Sequence, residues 1–213
     1  MIEGGGIREL RRLARGGAGA QAPPRPAAVE ERCDMCAVPI PPDHRHLLHV
    51  DDRVIVCTCE TCRALFAGEG SYRPTGSRTL WLDDLELTDE HWASFRIPIG
   101  LAFFFHSSAG GPEGGGGLVA FYPSPAGTTE CDLDLGPWQR LVAANPVLEG
   151  LEPDAEALIV NRLDGARQHA IVPIDECYRL VGLVRVHWEG ISGGSGIETA
   201  VAQFFAETEA RAG

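Results

Sequence analysis

Two pairs of cysteines hold the most specific chemistry in the chain: Cys33-Asp-Met-Cys36 and, 22 residues later, Cys59-Glu-Thr-Cys62. A Cys-x-x-Cys turn aims two sulfurs at one point while its backbone N–H groups stabilise thiolate charge. Two such turns set face to face make a tetrahedral four-sulfur cage. The spacing therefore predicts a metal ion held by Cys33, Cys36, Cys59 and Cys62. Closed thiolate cages suit Zn(2+) and also iron. Rubredoxin-type iron sites carry Gly or Pro-Gly beside their cysteines. Here Ala37 follows Cys36 and Arg63 follows Cys62, so zinc is the reading and iron the alternative. Four protein ligands leave no open position for hydrolysis at the metal, which makes the ion structural. Its binding supplies on the order of 10 kcal/mol to a module otherwise too small to fold.

The remaining reactive residues are less specific. Cys57 lies two residues before Cys59, as a fifth thiol near the metal, a spare ligand or, in the reading adopted, a buried side chain. Cys131 and Cys177 are isolated and read as core. His44, His46 and His49 are not needed as ligands beside four thiolates and read as solvated strand residues or groups that support the ligands; one of them in place of Cys59 or Cys62 is the less favoured alternative. Gly190-Ile-Ser192-Gly-Gly194 matches the Gly-x-Ser-x-Gly nucleophile pattern, but that motif needs a strand before the serine and a helix after it. Here a helix precedes the serine, and a helix–helix turn is the economical account. His106-Ser107, at a strand end, has no third orienting residue that the sequence can name. An enzyme with a site around His106 or Ser192 therefore stands as a second alternative function.

Bringing the two cysteine turns face to face needs a chain reversal between them. His46-Leu-Leu-His-Val50, Asp51-Asp52 and Arg53-Val-Ile-Val-Cys57 read as strand, tight turn and strand, a hairpin that returns one cysteine turn beside the other. Residues 31–70 are thus expected to form a zinc-ribbon-like module. Residues 1–30 read as a basic tail and linker. Residues 1–32 hold six Arg against four Glu, and Gly16 to Ala28 is rich in Gly, Ala and Pro. A frayed terminus is the reading of this tail; a docking peptide is the alternative. Residues 71–213 read as an α+β domain: a strand at Thr79 to Leu82, a short helix from Thr88 to about Phe95, and strands at Leu101 to His106 and Leu118 to Tyr122. A third strand over Thr128 to Leu133, a helix over Pro137 to Ala144 and a hairpin around Asp164-Gly165 follow. Two helices close the chain, one over Asp175 to Trp188 and one carrying Ile197, Val201, Phe204 and Phe205. The class is α+β, an antiparallel sheet with C-terminal helices packed on one face.

Composition narrows the function. All 18 basic residues are arginine, which excludes lysine Schiff bases, pyridoxal-phosphate anchors and phosphate-loop lysines. The net charge of −12 disfavours nucleic acid as a partner. The longest apolar stretch, Ile97 to Phe105, is far short of the roughly 20 residues of a membrane span. The first 20 residues lack the apolar core of a signal peptide. Seven cysteines without an export signal point to a cytoplasmic protein with reduced thiols.

Three stretches, ERCDMC…CETC, WLDDLELTDEHWASFRIPIGLAFFF and VPIDECYRLVGLVRVHWEGISGG, resemble an uncharacterised bacterial family of unknown function. Its members are encoded beside uptake nickel–iron hydrogenase genes in actinobacteria and some relatives. The likeness covers roughly residues 30 to 207. It implies a cytoplasmic accessory to hydrogenase assembly or electron transfer, and brings no catalytic residues with it. The expectation is a metal-binding accessory protein, more an assembly factor than an enzyme, that contacts a hydrogenase subunit or maturation factor. A rubredoxin-like iron electron-transfer protein is the alternative.

Overall fold

In the structure, a computed structural model, residues 30–109, 116–188 and 195–212 are described. The tail through residue 29 and the Gly190–Gly194 loop with Ser192 lie outside them. The described chain begins with the cysteine turn at 33–36. Strands β1 (Arg45–His49) and β2 (Val54–Thr58) then form the expected hairpin, helix α1 (Glu60–Phe66) follows, and β3 (Tyr72–Pro74) completes a three-stranded sheet in the order β2-β1-β3. Leu47, Leu48 and Val50 are buried in this small layer, and Ile40 is buried beside Cys33 and Cys62. A core so small is consistent with an added cross-link.

The larger sheet has six antiparallel strands. They are β4 (Leu80–Trp81), β5 (Leu101–Ser107), β6 (Gly117–Ser124), β7 (Gly127–Glu130), β8 (Glu156–Asn161) and β9 (Gln168–Pro173), in the order β4-β9-β8-β5-β6-β7. Between them lie helices α2 (Asp89–Ser94) and α3 (Leu135–Ala144); after them come α4 (Ile174–His187) and α5 (Ser195–Arg211). Thr88 caps α2 by accepting the His91 N–H, and Asp134 caps α3 by accepting the Gly136 N–H. Helix α3 stops at Asn145, whose amide nitrogen donates to the Leu141 carbonyl and whose oxygen accepts the Glu86 N–H.

Alternation along the strands sorts the core into two layers. Phe103, Phe105, Phe121, Ile159 and Val172 face α4 and α5, meeting Cys177, Leu180, Val184, Phe204 and Phe205. The C-terminal helices therefore cover one face, as the sequence pattern indicates. Ala102, Phe104, Leu158 and Ile171 face the other way, onto Phe95, Trp138, Leu141 and Leu148. This second cover is supplied by the middle of the chain, and it explains why every residue of β8 is buried. The strand expected at Thr128 to Leu133 is shorter and earlier, ending at Glu130; the Cys131 N–H still donates to the Ala120 carbonyl, and beyond it the chain leaves the edge to enter α3.

From Arg32 onward the chain forms one compact unit. Several contacts tie the cysteine-rich module and the segment that follows β3 to the large domain. The Gly76 N–H donates to the Ala155 carbonyl, an approach so close that a Cβ on Gly76 would sit 2.9 Å from that oxygen. Arg78 grips the buried Glu156 with two hydrogen bonds, 2.9 and 2.6 Å long, and also donates to the Gly150 carbonyl. At the hairpin turn, Arg53 pairs with Glu130 at 2.6 Å and lies over the Phe121 ring. Among the described residues no helix is long and apolar enough to cross a membrane.

Candidate metal centre

The first cysteine turn is built by backbone bonds around residues 33–38. The Ala37 N–H donates to the Cys33 carbonyl and the Cys33 N–H to the Val38 carbonyl, with Ala37 at a positive φ of 60°. The second turn is the start of α1, where Cys59 is the N-cap and Cys62 lies in the first turn. The Cys62 N–H points at the Cys59 sulfur at 3.4 Å. A reciprocal clamp brings the two turns together. The Asp34 N–H donates to the Cys57 carbonyl at 2.9 Å, and the Cys57 N–H donates to the Asp34 carboxylate at 2.6 Å. The second residue of the first turn thus locks onto the strand that leads into the second.

The outcome is a cluster in which the sulfurs of Cys33, Cys36, Cys59 and Cys62 all lie within 4.8 Å of one another, a group that could hold a metal ion. The Cys36 and Cys59 sulfurs are 3.7 Å apart. The edge of a tetrahedron with zinc–sulfur bonds of about 2.3 Å is about 3.8 Å, so the donor set and its spacing fit a four-coordinate thiolate ion. Cys33 and Cys62 are buried, Cys59 is half-buried and Cys36 is exposed. No disulfide joins any of the seven cysteines.

The electrostatics favour sharing of charge by the group. Burial raises the Cys33 thiol, but backbone N–H groups of Cys59, Cys36 and Met35 outweigh it and bring the thiol down to about 6. Cys62 is pushed the other way, to about 12, chiefly by the Cys36 sulfur and by burial. Four thiolates this close repel one another strongly, and a divalent cation at their centre removes that cost.

The other cysteines and histidines fall into distinct places. Cys177 is fully buried under the sheet, and burial pushes its thiol well above the ordinary range. Burial also raises Cys131, to about 11. Both are poor nucleophiles. Cys57, expected to be buried, is only half-buried. It stands directly across from His46 in the hairpin, and its sulfur and one ring nitrogen from each of His44 and His46 lie within 4.8 Å of one another. Spacing within one strand did not reveal this trio; the cross-strand register does. His49 points elsewhere, with Nδ1 3.1 Å from Asp52 and its ring edge-on to Tyr72. His106 packs edge-on against Trp138, and burial lowers its pKa. Among the described residues its ring makes no hydrogen bond.

The chain belongs to the family of unknown function DUF5947, which matches residues 32–212. No curated protein and no solved structure matches it.

Proposed function

We propose that this DUF5947 protein is a zinc-dependent accessory protein that works through protein–protein contacts. In this account Cys33, Cys36, Cys59 and Cys62 bind one Zn(2+), and the ion holds the β1–β3 module in a fixed shape against the six-stranded sheet. The observation that carries the proposal is the four-sulfur cluster, in which two facing cysteine turns bring all four sulfurs within 4.8 Å of one another. A closed cage has no site for a substrate, so its value lies in the surface it shapes. The exposed Val54, Leu65 and Phe66 on that module give it apolar contact area.

The partner class comes from the resemblance described above: a nickel–iron hydrogenase subunit or a maturation factor, met in the cytoplasm. The test is genetic and biochemical together. In a hydrogen-oxidising host that encodes the protein, deletion is expected to lower hydrogenase activity. The wild-type gene is expected to restore it, and a Cys33→Ser/Cys62→Ser gene is not. Unchanged activity in the deletion strain, with no hydrogenase component recovered alongside the tagged protein, overturns the partner assignment. A red or brown protein with one iron per chain replaces the assembly role with the electron-transfer alternative.

A further inference from the structure

We propose that the module carries a second metal site, separate from the cage. It is formed by His44, His46 and Cys57, and it holds one divalent ion of the zinc class with a coordination position left open. The residues converge for a reason that the strand geometry supplies. His44 and His46 are two residues apart, so they project from one side of the chain at the start of β1, and Cys57 is the direct cross-strand partner of His46. Their ligand atoms lie within 4.8 Å of one another, and the two rings meet edge-on with centroids 4.6 Å apart. Ligands at zinc bond lengths sit roughly 3.3–3.8 Å apart, so closure asks for side-chain shifts of about 1–1.5 Å at most.

Hydrogen bonds made by one nitrogen of each ring set its tautomer. His44 Nδ1 is 2.9 Å from the Pro41 carbonyl, and His46 Nδ1 is 2.7 Å from the Asp175 carboxylate. Both partners accept, so Nδ1 is the donor in each pair and Nε2 is the nitrogen a metal ion can use. A carbonyl or carboxylate behind the imidazole is the arrangement that orients histidine ligands and raises their basicity. Asp175 belongs to the first turn of α4, so the large domain itself aims His46. Asp175 Oδ1 is buried and has no hydrogen-bond partner among the described residues.

The donor set is two imidazoles and one thiolate, which suits zinc and its late first-row neighbours. Three protein ligands leave the fourth position to water or to a ligand from a partner. The cage has its four sulfurs without Cys57, so both sites can be filled at once.

The test uses the full chain, purified with its tightly held zinc, desalted and titrated with Co(2+). One cobalt per chain is expected to bind while one zinc is retained. Visible ligand-field bands and near-ultraviolet sulfur-to-cobalt charge transfer from a single thiolate are expected with it. Cys57→Ser is expected to abolish the charge transfer, and His46→Gln the cobalt binding. Asp175→Asn removes no ligand and is expected to weaken cobalt binding about tenfold to hundredfold. Retained cage zinc and an unchanged far-ultraviolet spectrum are the folding controls. Should Cys57→Ser lose the cage zinc, the Asp175→Asn titration decides. Wild-type protein that keeps its zinc but takes up no cobalt overturns this second site and leaves the cage standing. Protein that holds no zinc at all counts against the cage instead. Charge transfer that persists in Cys57→Ser, or binding untouched in Asp175→Asn, also overturns the proposal.

Discussion

Replacing Arg78 with methionine tests how the metal module is held to the large sheet. Glu156 is 5% exposed, and its carboxylate receives both hydrogen bonds from the Arg78 guanidinium and a longer one from the Glu152 N–H. The methionine keeps most of the stem but strands the carboxylate. Removing one partner of a fully buried ion pair costs about 3–5 kcal/mol. The Arg78 side chain is 43% exposed, so water already screens part of this pair and about 2–3 kcal/mol is the better figure. For a domain of this size 1 kcal/mol moves the melting temperature by roughly 2–4 °C, which gives an expected fall of roughly 5–10 °C. Differential scanning calorimetry on zinc-saturated protein at neutral pH reads it. Arg78→Met/Glu156→Gln is expected to recover at least half of the loss, because neither charge is then stranded. A single variant within 1 °C of wild type, or a double variant worse than both singles, refutes a role for this buried pair in holding the segment between β3 and β4 to the large sheet.

Three further outcomes are expected. Stripping the ion with a strong chelator should expose the amides of β1, β2 and β3 to hydrogen exchange while those of β5, β8 and β9 stay protected. Uniform loss, or none, would contradict a metal that stabilises the small layer alone. Phe104→Ala should cost about 3–5 kcal/mol in urea denaturation, because the ring is fully buried between Phe95 at 5.0 Å and Trp138 at 5.6 Å; a cost under 1 kcal/mol would show that the second core layer is not packed as described. His169 is buried, and burial, then the charge of Arg162, lowers its pKa from 6.5 to about 4. The unfolded chain therefore binds a proton that the folded chain refuses. His169 costs no stability above pH 6.5, and stability is lost by up to about 1.4 kcal/mol per pH unit as pH falls from 6.5 toward 4. His169→Leu should flatten that part of the pH profile, and an unchanged slope would assign it to other groups.

Local patterns carried much of this architecture, and long-range pairing carried the rest. The Cys-x-x-Cys spacing located the four sulfurs because each half of the cage is a local turn. Asp51-Asp52 placed the hairpin centre well enough to fix the pairing of His46 with Cys57. That His44 also reaches Cys57 depends on the turn before β1, which the strand alternation does not encode. Thr88, Asp134 and Asn145 act at helix ends as their side-chain chemistry dictates. The pairing of β4 with β9, and the cover of Trp138 and Leu141 over Phe104, depend on contacts between segments far apart in sequence, which periodicity does not encode. Asp175 was legible only as a first-turn acid of α4; its contact with His46 belongs to the tertiary fold.

The most direct test of the central claim is the tightly bound metal content of the full chain, purified without chelator and compared with its Cys33→Ser/Cys62→Ser variant. The account predicts colourless wild-type protein whose cage zinc, one per chain, survives desalting and is lost in the variant. X-ray absorption at that zinc should show four sulfurs at about 2.3 Å. Wild-type protein without stoichiometric metal, or a variant that keeps all of its zinc, would contradict it.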